Sequence, residues 1–163
     1  MTCTIDKFTG KEVALEFHIG CGDALPLEAD WKPVGALRTK EVNLEWDTVD
    51  ATADDNPGSV RSNIATYKTF SISGDGVSKR ADGTLSNQVA LYKHVFNPTT
   101  TGGQPVVWVR VTFPDVTFVS YMLVSTMSRS APYDDVATFS FEASMTEASI
   151  LPEGVQLTDT PVV

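Results

Sequence analysis

A stretch of alternating apolar and polar residues, from Gln104 to Thr146, constrains the fold more than any other feature of the sequence. Successive side chains of a β-strand point to opposite faces of the sheet, so a period of two residues predicts strands. Turn-forming residues interrupt the stretch at Pro114-Asp115 and again at 128–132. We therefore predict a β-meander of three strands.

The three strands of this meander differ in the character of their faces. The first and last have one apolar face each, formed by Val107, Val109, Val111 and Phe113 in the first strand and by Ala137, Phe139, Phe141, Ala143 and Met145 in the last. The middle strand, Val116 to Met127, carries apolar residues on both faces. Such a strand is either central in a two-layer sandwich or in contact with another subunit.

Two strands with one wet face each are predicted near the N-terminus. Apolar and polar residues alternate from Lys11 to Gly20, where His18 lies on the polar side. They alternate again from Glu41 to Asp47, and in this strand Trp46 falls on the apolar side with Val42 and Leu44. We therefore expect Trp46 in the core, and we expect the acidic residues of both strands to face water.

A third strand and one helix are predicted before the meander. The strand contains Phe70 and Ile72 and ends at 74–76, and a helical turn is possible before it at 62–66. Ser86 can cap a short helix through its hydroxyl group, and Asn97-Pro98 ends this helix.

The length and the loops indicate one domain. A chain of 163 residues can bury a sizeable core without disulfides or metals. We predict one mainly β domain over residues 1–150, with a long exposed loop at 47–62 that includes the turn signal Asn56-Pro57-Gly58. Residues 151–163 contain two prolines and no sustained period, so we predict an extended C-terminal arm.

Charge and cysteine content exclude several classes of protein. The chain has 21 acidic and 12 basic residues and a formal net charge of −9, which argues against a protein that wraps directly around nucleic acid. Cys3 and Cys21 do not form a disulfide framework, and we expect them to be reduced. The first ten residues do not resemble a secretion signal, and no apolar run is long enough to span a membrane.

The sequence contains no set of residues typical of an active site or a bound cofactor. We interpret His18 and His94 as surface residues, because no nucleophile motif accompanies them. Gly74-Asp75-Gly76, followed by Lys79-Arg80, lacks the phosphate-loop pattern and is read as a turn. We therefore predict that the chain is not an enzyme and has no cofactor.

The acidic loop does not predict a metal site either. Asp50, Asp54, Asp55 and Asn56 carry oxygen ligands, but their spacing misses the calcium-loop pattern and no glutamate stands at its closing position.

Two blocks of sequence resemble the major tail tube proteins of long-tailed bacteriophages. The first block comprises residues 35–40, 46–52 and 67–76, and the second comprises the helix Asn87 to Phe96 with Val109 to Asp115, which is similar to the lambda-like form of the family. The resemblance extends over roughly residues 34–147. The additional immunoglobulin-like domain of some members does not follow Met145 in this sequence.

The resemblance implies a β-sandwich or half-barrel with one short flanking helix, assembled as six-membered rings that stack into a hollow tube. Viral DNA would pass through the lumen without specific binding. The protein would be made in the host cytoplasm and would function in the virion tail, away from membranes. Its partners would be copies of itself, a tape-measure protein, a tail terminator and distal tail proteins.

Two groups of residues are candidates for this function. Carboxylates on the wet faces of strands would line the lumen and repel DNA, and the candidates are Glu16, Glu41, Glu45 and Glu142. The loop would contact other subunits, with the candidates Asp47, Asp50, Asp54, Asp55 and Asn56. The N-terminal arm around Cys3 and the C-terminal arm are candidates for the same role.

Two other functions remain open on the sequence alone. One is a monomeric β-sandwich that binds a carbohydrate or protein ligand, for which exposed aromatic residues would be needed on one face. The other is a hydrolase on a β scaffold, which the missing catalytic residues disfavour.

Overall fold

A computed structural model describes residues 7–35, 37–78 and 87–159, which form one antiparallel sheet and one α-helix. The strands are β1 (Ala14–His18), β2 (Lys32–Pro33), β3 (Leu37–Asp50), β4 (Asn63–Val77), β5 (Val106–Thr112), β6 (Val116–Ser130), β7 (Thr138–Met145) and β8 (Val155–Asp159). The helix α1 (Asn87–Phe96) lies between β4 and β5. The order across the sheet is β2-β1-β5-β6-β7-β4-β3, and β8 pairs with β6.

The predicted meander is confirmed, since β5, β6 and β7 pair in succession and antiparallel. The mainly β class with one short helix is confirmed as well. Strand β6 extends past the predicted end at Met127 to Ser130, because β7 pairs with it as far as Thr138. Cys3, Ser86 and Lys79-Arg80, on which other expectations depended, lie outside the described residues.

The main core lies on one face of a strongly curled sheet. The rings of Phe70 on β4 and Phe118 on β6 stack with centroids 5.6 Å apart, although β7 lies between these two strands. The sheet can bring them together because β7 ends at Met145, short of Phe118. The other buried residues of this core include Leu15, Phe17, Ile72, Leu91, Val107, Val109, Val111, Met122, Phe139 and Phe141.

Helix α1 covers this core and is tied to the strands by polar side chains. The Gln88 amide donates to the carbonyl oxygens of Gly35 and Val77. His94 is buried, with Nε2 2.9 Å from the carbonyl oxygen of Val106. A carbonyl oxygen can only accept, so Nε2 carries the proton. The prediction of a surface position for His94 is therefore wrong, because the imidazole satisfies a strand carbonyl at the edge of the core.

Strands β3 and β4 extend beyond the rest of the sheet as a two-stranded projection. Strand β4 pairs with β3 from Asn63 to Gly76 but with β7 only from Ser71 to Val77. We call residues 44–69 the ribbon. The expectation that Trp46 is a core residue is wrong: the side chain is 53% exposed, because no further strand or helix among the described residues covers this part of β3.

Pairing within the ribbon also shortens the predicted loop. Residues 47–50 belong to β3 and β4 begins at Asn63, so the connection comprises residues 51–62. The expectation of a helical turn at 62–66 is wrong, because the chain is extended from residue 63 onwards and pairs with β3.

The described part of the predicted C-terminal arm is extended and pairs with the sheet. Strand β8 lies antiparallel to β6 along Val116–Ser120. Strand β7 occupies the same edge of β6 only from Met122 onwards. The first part of β6 would otherwise leave backbone hydrogen-bonding groups exposed on this edge, and β8 satisfies them. Between β7 and β8, residues 146–154 form what we call the crossing loop.

Candidate functional site

The sheet face opposite the main core is divided into two halves. One half, formed by β1, β5 and the first part of β6, holds a second small core around Trp108, which is 0% exposed and packs on Tyr121 with ring centroids 5.0 Å apart. Two segments cover it, residues 20–31, which we call the strap, and the crossing loop. This cover explains why β6 is apolar on both faces in the sequence.

Hydrogen bonds hold both covering segments in place. The Trp108 indole donates from Nε1 to the carbonyl oxygen of Cys21 at 3.0 Å. The hydroxyl of Ser149 in the crossing loop donates to the carbonyl oxygen of Gly22 in the strap at 3.1 Å. The hydroxyl of Ser120 on β6 donates to the carbonyl oxygen of Gly154 in the crossing loop at 2.7 Å. Strap and crossing loop therefore close over Trp108 as a connected unit.

An arginine on β5 fixes the strap through two carboxylates and an aromatic ring. Arg110 forms a bidentate pair with Glu16, with Nη2 to Oε1 at 3.0 Å and to Oε2 at 2.9 Å, and it bonds Glu28 at 2.8 Å. Its guanidinium carbon lies 4.8 Å from the centroid of the Trp31 ring. The hydrogen bond from Arg110, reinforced by its charge, lowers the pKa of Glu28. Glu16, predicted as a lumen residue, is therefore engaged in a structural ion pair.

The other half of this face is polar and has no covering segment among the described residues. It is formed by β3, β4, β7 and residues 125–130 of β6, which we call the half-sheet. On the strands β3, β4 and β7, the residues on this face are Glu41, Asn43, Glu45, Thr69, Ser71, Ser73, Asp75, Ser140, Glu142 and Ser144. Lys40 alternates with them and points away, so that its Nζ bonds the carbonyl oxygens of Gly10 and Val13.

Three of the four predicted lumen carboxylates share this open face. Ser73 is paired with Glu41 on one side and with Glu142 on the other, so the two glutamates are two strand spacings apart, roughly 10 Å. Glu45 lies further along β3 and accepts a hydrogen bond from the Asn43 amide at 3.1 Å. The structure thus brings Glu41, Glu45 and Glu142 onto one surface and leaves Glu16 on the covered half.

Both edges of the half-sheet lack a neighbouring strand in the described part of the chain. Strand β3 pairs only with β4, so its other edge is open. Strand β5 pairs with β6 only up to Leu123, so residues 125–130 of β6 have β7 on one side and no strand on the other. In this part of β6, the backbone carbonyl oxygen of Ser128 accepts a hydrogen bond from the hydroxyl of Tyr92 on α1 at 3.0 Å. Sequence reasoning missed these edges, because strand pairing leaves no local signal in the sequence.

The ribbon carries the other predicted candidates together with exposed apolar side chains. Asp50 accepts hydrogen bonds from the backbone N–H and the hydroxyl of Thr52, and these bonds lower the pKa of Asp50. The remaining candidates lie within the ribbon and are Asp47, Asp54, Asp55 and Asn56. Its large exposed apolar residues are Leu44, Trp46, Val49, Val60, Ile64 and Tyr67. Large exposed apolar patches are typical of interaction surfaces.

The described residues contain neither a metal-binding cluster nor a membrane-spanning helix. Across residues 7–35, 37–78 and 87–159, no group of three or more histidine, cysteine, aspartate or glutamate side chains is arranged to hold a metal ion. No helix in these same ranges has the length and apolar character needed to cross a membrane.

Comparison with known proteins identifies the family. Residues 7–148 match the family model described as phage tail tube protein. No curated protein sequence matches the chain. The family assignment confirms the resemblance to tail tube proteins drawn from the sequence, while the narrower likeness to the lambda-like form stays a prediction.

Solved structures with the same fold come from phage-like tails. A chain of the virion of a native gene transfer agent particle is 19% identical, with a TM-score of 0.69 over 95% of this chain and 100% of that one. A chain of the tail of an empty gene transfer agent particle, refined with C6 symmetry, is 19% identical with a TM-score of 0.68 over 95% and 100%. The SPP1 tail tube is 14% identical with a TM-score of 0.58 over 90% and 84%.

The family model covers most of the chain, and the curled sheet with its flanking helix has the fold of solved tail tubes. The sequence left two other functions open, a hydrolase and a monomeric binding module. Membership in a family of structural tail proteins decides against both. The chain belongs to the phage tail tube protein family and is a structural component of the virion tail.

Proposed function

We propose that copies of this chain close into rings by joining the two open edges of the half-sheet, and that the rings stack into the hollow tail tube. The observation that carries this proposal is the pair of open edges on either side of one polar face. An unpaired strand edge binds other strands through its free backbone groups. A closed barrel removes all such edges at once.

The direction of the strands supports this closure. Strands β6, β7, β4 and β3 alternate in direction across the half-sheet. Rotation about a ring axis keeps the direction of each strand along that axis, so β3 of one copy would meet β6 of the next in the antiparallel sense. With the six-fold symmetry of the similar gene transfer agent tail, four strands from each of six copies would form a barrel of 24 strands.

The open face would then line the lumen. DNA carries one negative charge per about 1.7 Å of its axis, and proteins bind it mainly through lysine and arginine. A lining with Glu41, Glu45 and Glu142 among serine and threonine residues offers repulsion and small polar side chains. We therefore propose that these three glutamates keep the DNA from adhering during ejection, and that Glu16 holds the strap.

The ends of the tube and its interior define the other proposed partners. A stack of rings made by head-to-tail contacts stays open at both ends. We propose that a tail terminator and distal tail proteins cap these ends and that a tape-measure protein occupies the lumen before the DNA. We also propose that residues 1–150 act as one tube domain, and that the ribbon, the N-terminal arm and the C-terminal arm make contacts between subunits.

Cysteine cross-linking tests the proposed closure. The parent is the Cys3→Ser/Cys21→Ser variant, into which Asn43→Cys on β3 and Thr126→Cys on β6 are introduced together. After assembly and mild oxidation, we expect a ladder of covalent oligomers that stops at the closed ring, together with hollow tubes in negative-stain images. Lys32→Cys, on the β2 edge, replaces Asn43→Cys in the matched control and should give no ladder.

Three results would contradict the proposal. One is a protein that remains monomeric at high concentration. The second is a ladder of equal yield in the β2 control. The third is a tube map in which the face with Glu41 and Glu142 points outward.

A further inference from the structure

The two ends of the half-sheet carry surfaces of different shape. Strand β7 pairs with β4 from Thr138, opposite Val77, to Ser144, opposite Ser71. The turn between β6 and β7, residues 131–137, therefore lies at one end of these strands. The ribbon and the crossing loop lie at the other end.

The first end is formed by the turn of residues 131–137, which we call the knob and which carries an exposed aromatic residue. The side chain of Tyr133 is fully exposed, and Asp134 and Asp135 directly after it are exposed as well. A tyrosine ring in this position gains nothing from the fold of its own subunit. Exposed tyrosine is enriched at protein interfaces, because the ring buries a large apolar area while its hydroxyl group remains able to form hydrogen bonds.

The second end is an open groove with aromatic side chains on one wall. Trp46, Tyr67 and Lys68 line the ribbon wall, and the crossing loop forms the opposite wall, which includes Glu147 and Glu153. Tyr67 is 76% exposed. The groove therefore has an aromatic wall with a cation and a second wall with two carboxylates.

We propose that the turn between β6 and β7 of a second copy docks in this groove, with Tyr133 against Trp46 and Tyr67. The two aspartates after Tyr133 are attracted by Lys68 and repelled by Glu147 and Glu153, so the turn enters along the ribbon wall. Because the knob and the groove lie at opposite ends of one subunit, the contact is heterologous, and its repetition produces an open stack. The inference rests on the proposed tube and assigns the contact between successive rings.

Assembly of the purified full-length chain tests this contact separately from ring closure. We expect Tyr133→Ser to lose tubes and retain single rings in negative-stain images and in sedimentation velocity. We expect the same loss for Lys68→Glu, which leaves only carboxylates facing the two aspartates. Adding Asp134→Lys/Asp135→Lys to Lys68→Glu should restore tubes, since the attraction is rebuilt with opposite signs.

The controls separate loss of docking from loss of folding. Tyr133→Phe keeps the ring and should keep the tubes. The substituted side chains are at least partly exposed, so thermal unfolding of the monomeric variants should match that of the wild type. Tubes of normal length from Tyr133→Ser, or a combined charge variant without tubes, would overturn the inference and leave ring closure intact. A wild-type chain that forms neither rings nor tubes would overturn both.

Discussion

The two halves of the outer sheet face share the same backbone architecture but differ in chemistry. Around Trp108 the face is apolar and is covered by the strap and the crossing loop. Around Ser73 the face consists of serine, threonine, asparagine and carboxylates and is open. Because burial of apolar side chains stabilises a fold, we expect the covered half to contribute more to the stability of the subunit than the exposed side chains of the open half. The carboxylates and serines of the open half are therefore available for a role in the assembled tube.

The largest expected effect is on the stability of the covered half. Trp108→Ala removes a fully buried ring and its hydrogen bond to Cys21. The free energy of unfolding should fall by about 3–5 kcal/mol, which is typical of large-to-small substitutions in a core. The matched substitution on the open half, Ser73→Ala, should change it by less than about 0.5 kcal/mol. Urea unfolding of both variants measures this contrast, and similar losses would contradict the division into two halves.

The second effect concerns DNA passage through the open half. The double variant Glu41→Lys/Glu142→Lys should fold and form tubes, but its lumen would attract DNA. Infectious titre of phage carrying it should fall by about tenfold or more, with a loss that lessens at higher salt because added ions weaken lysine–phosphate attraction. Asp115→Lys, in the exposed turn between β5 and β6, makes half of this charge change outside the open face and is the control for added positive charge elsewhere on the subunit. Unchanged titre in the double variant would argue that this face does not line the lumen.

The third effect concerns the ion pairs of Arg110 with Glu16 and Glu28, which hold the strap over the covered half and which we call the clamp. Arg110→Met removes the cation between Glu16 and Glu28 and leaves two carboxylates near each other. The free energy of unfolding should fall by about 1 kcal/mol, which is modest because the pair is partly exposed to solvent. Strap opening should also increase amide hydrogen exchange at Cys21 and Gly22. Mass spectrometry of exchanged peptides gives this readout, and uniform protection across the variant would count against the clamp.

The smallest effect is a pH dependence of the same clamp. The hydrogen bond from Arg110, together with its positive charge, lowers the pKa of Glu28 below the ordinary value of a glutamate. A carboxyl whose pKa is lower in the folded state stabilises the fold above its unfolded pKa, and this contribution is lost as pH falls through the folded pKa. The stability advantage of the wild type over Glu28→Gln should therefore be present at neutral pH and shrink below about pH 4.5. A constant difference from pH 7 to pH 3 would contradict this assignment.

The strands and the family could be read from the sequence because their signals are local. Alternation over the meander is set by which side of a strand faces water, and it does not depend on the neighbours of that strand. Predictions failed where the position depended on tertiary contacts. Trp46 has the periodicity of a core residue, but its side chain is 53% exposed, because the described strands and helix do not cover the ribbon. His94 resembles a surface residue, but it satisfies a carbonyl at the edge of the core.

The candidate site shows the same limit. Glu16 and Glu142 occupy equivalent positions in the sequence pattern, on the polar sides of their strands. Only the fold shows that Arg110, more than 90 residues from Glu16 along the chain, neutralises one of them, while Glu142 faces an open surface. Ion pairs between distant residues leave no mark in the local pattern.

The sequence by itself determined the β meander, the acidic character of the wet faces and the family, because these depend on the order and chemistry of neighbouring residues. Only the tertiary structure decided which half of the sheet is covered, which edges remain open and which glutamates are available for a lumen. The physical reason is that each of these depends on pairing and packing between segments far apart in the chain. Such contacts form only when the whole sheet has curled around its core.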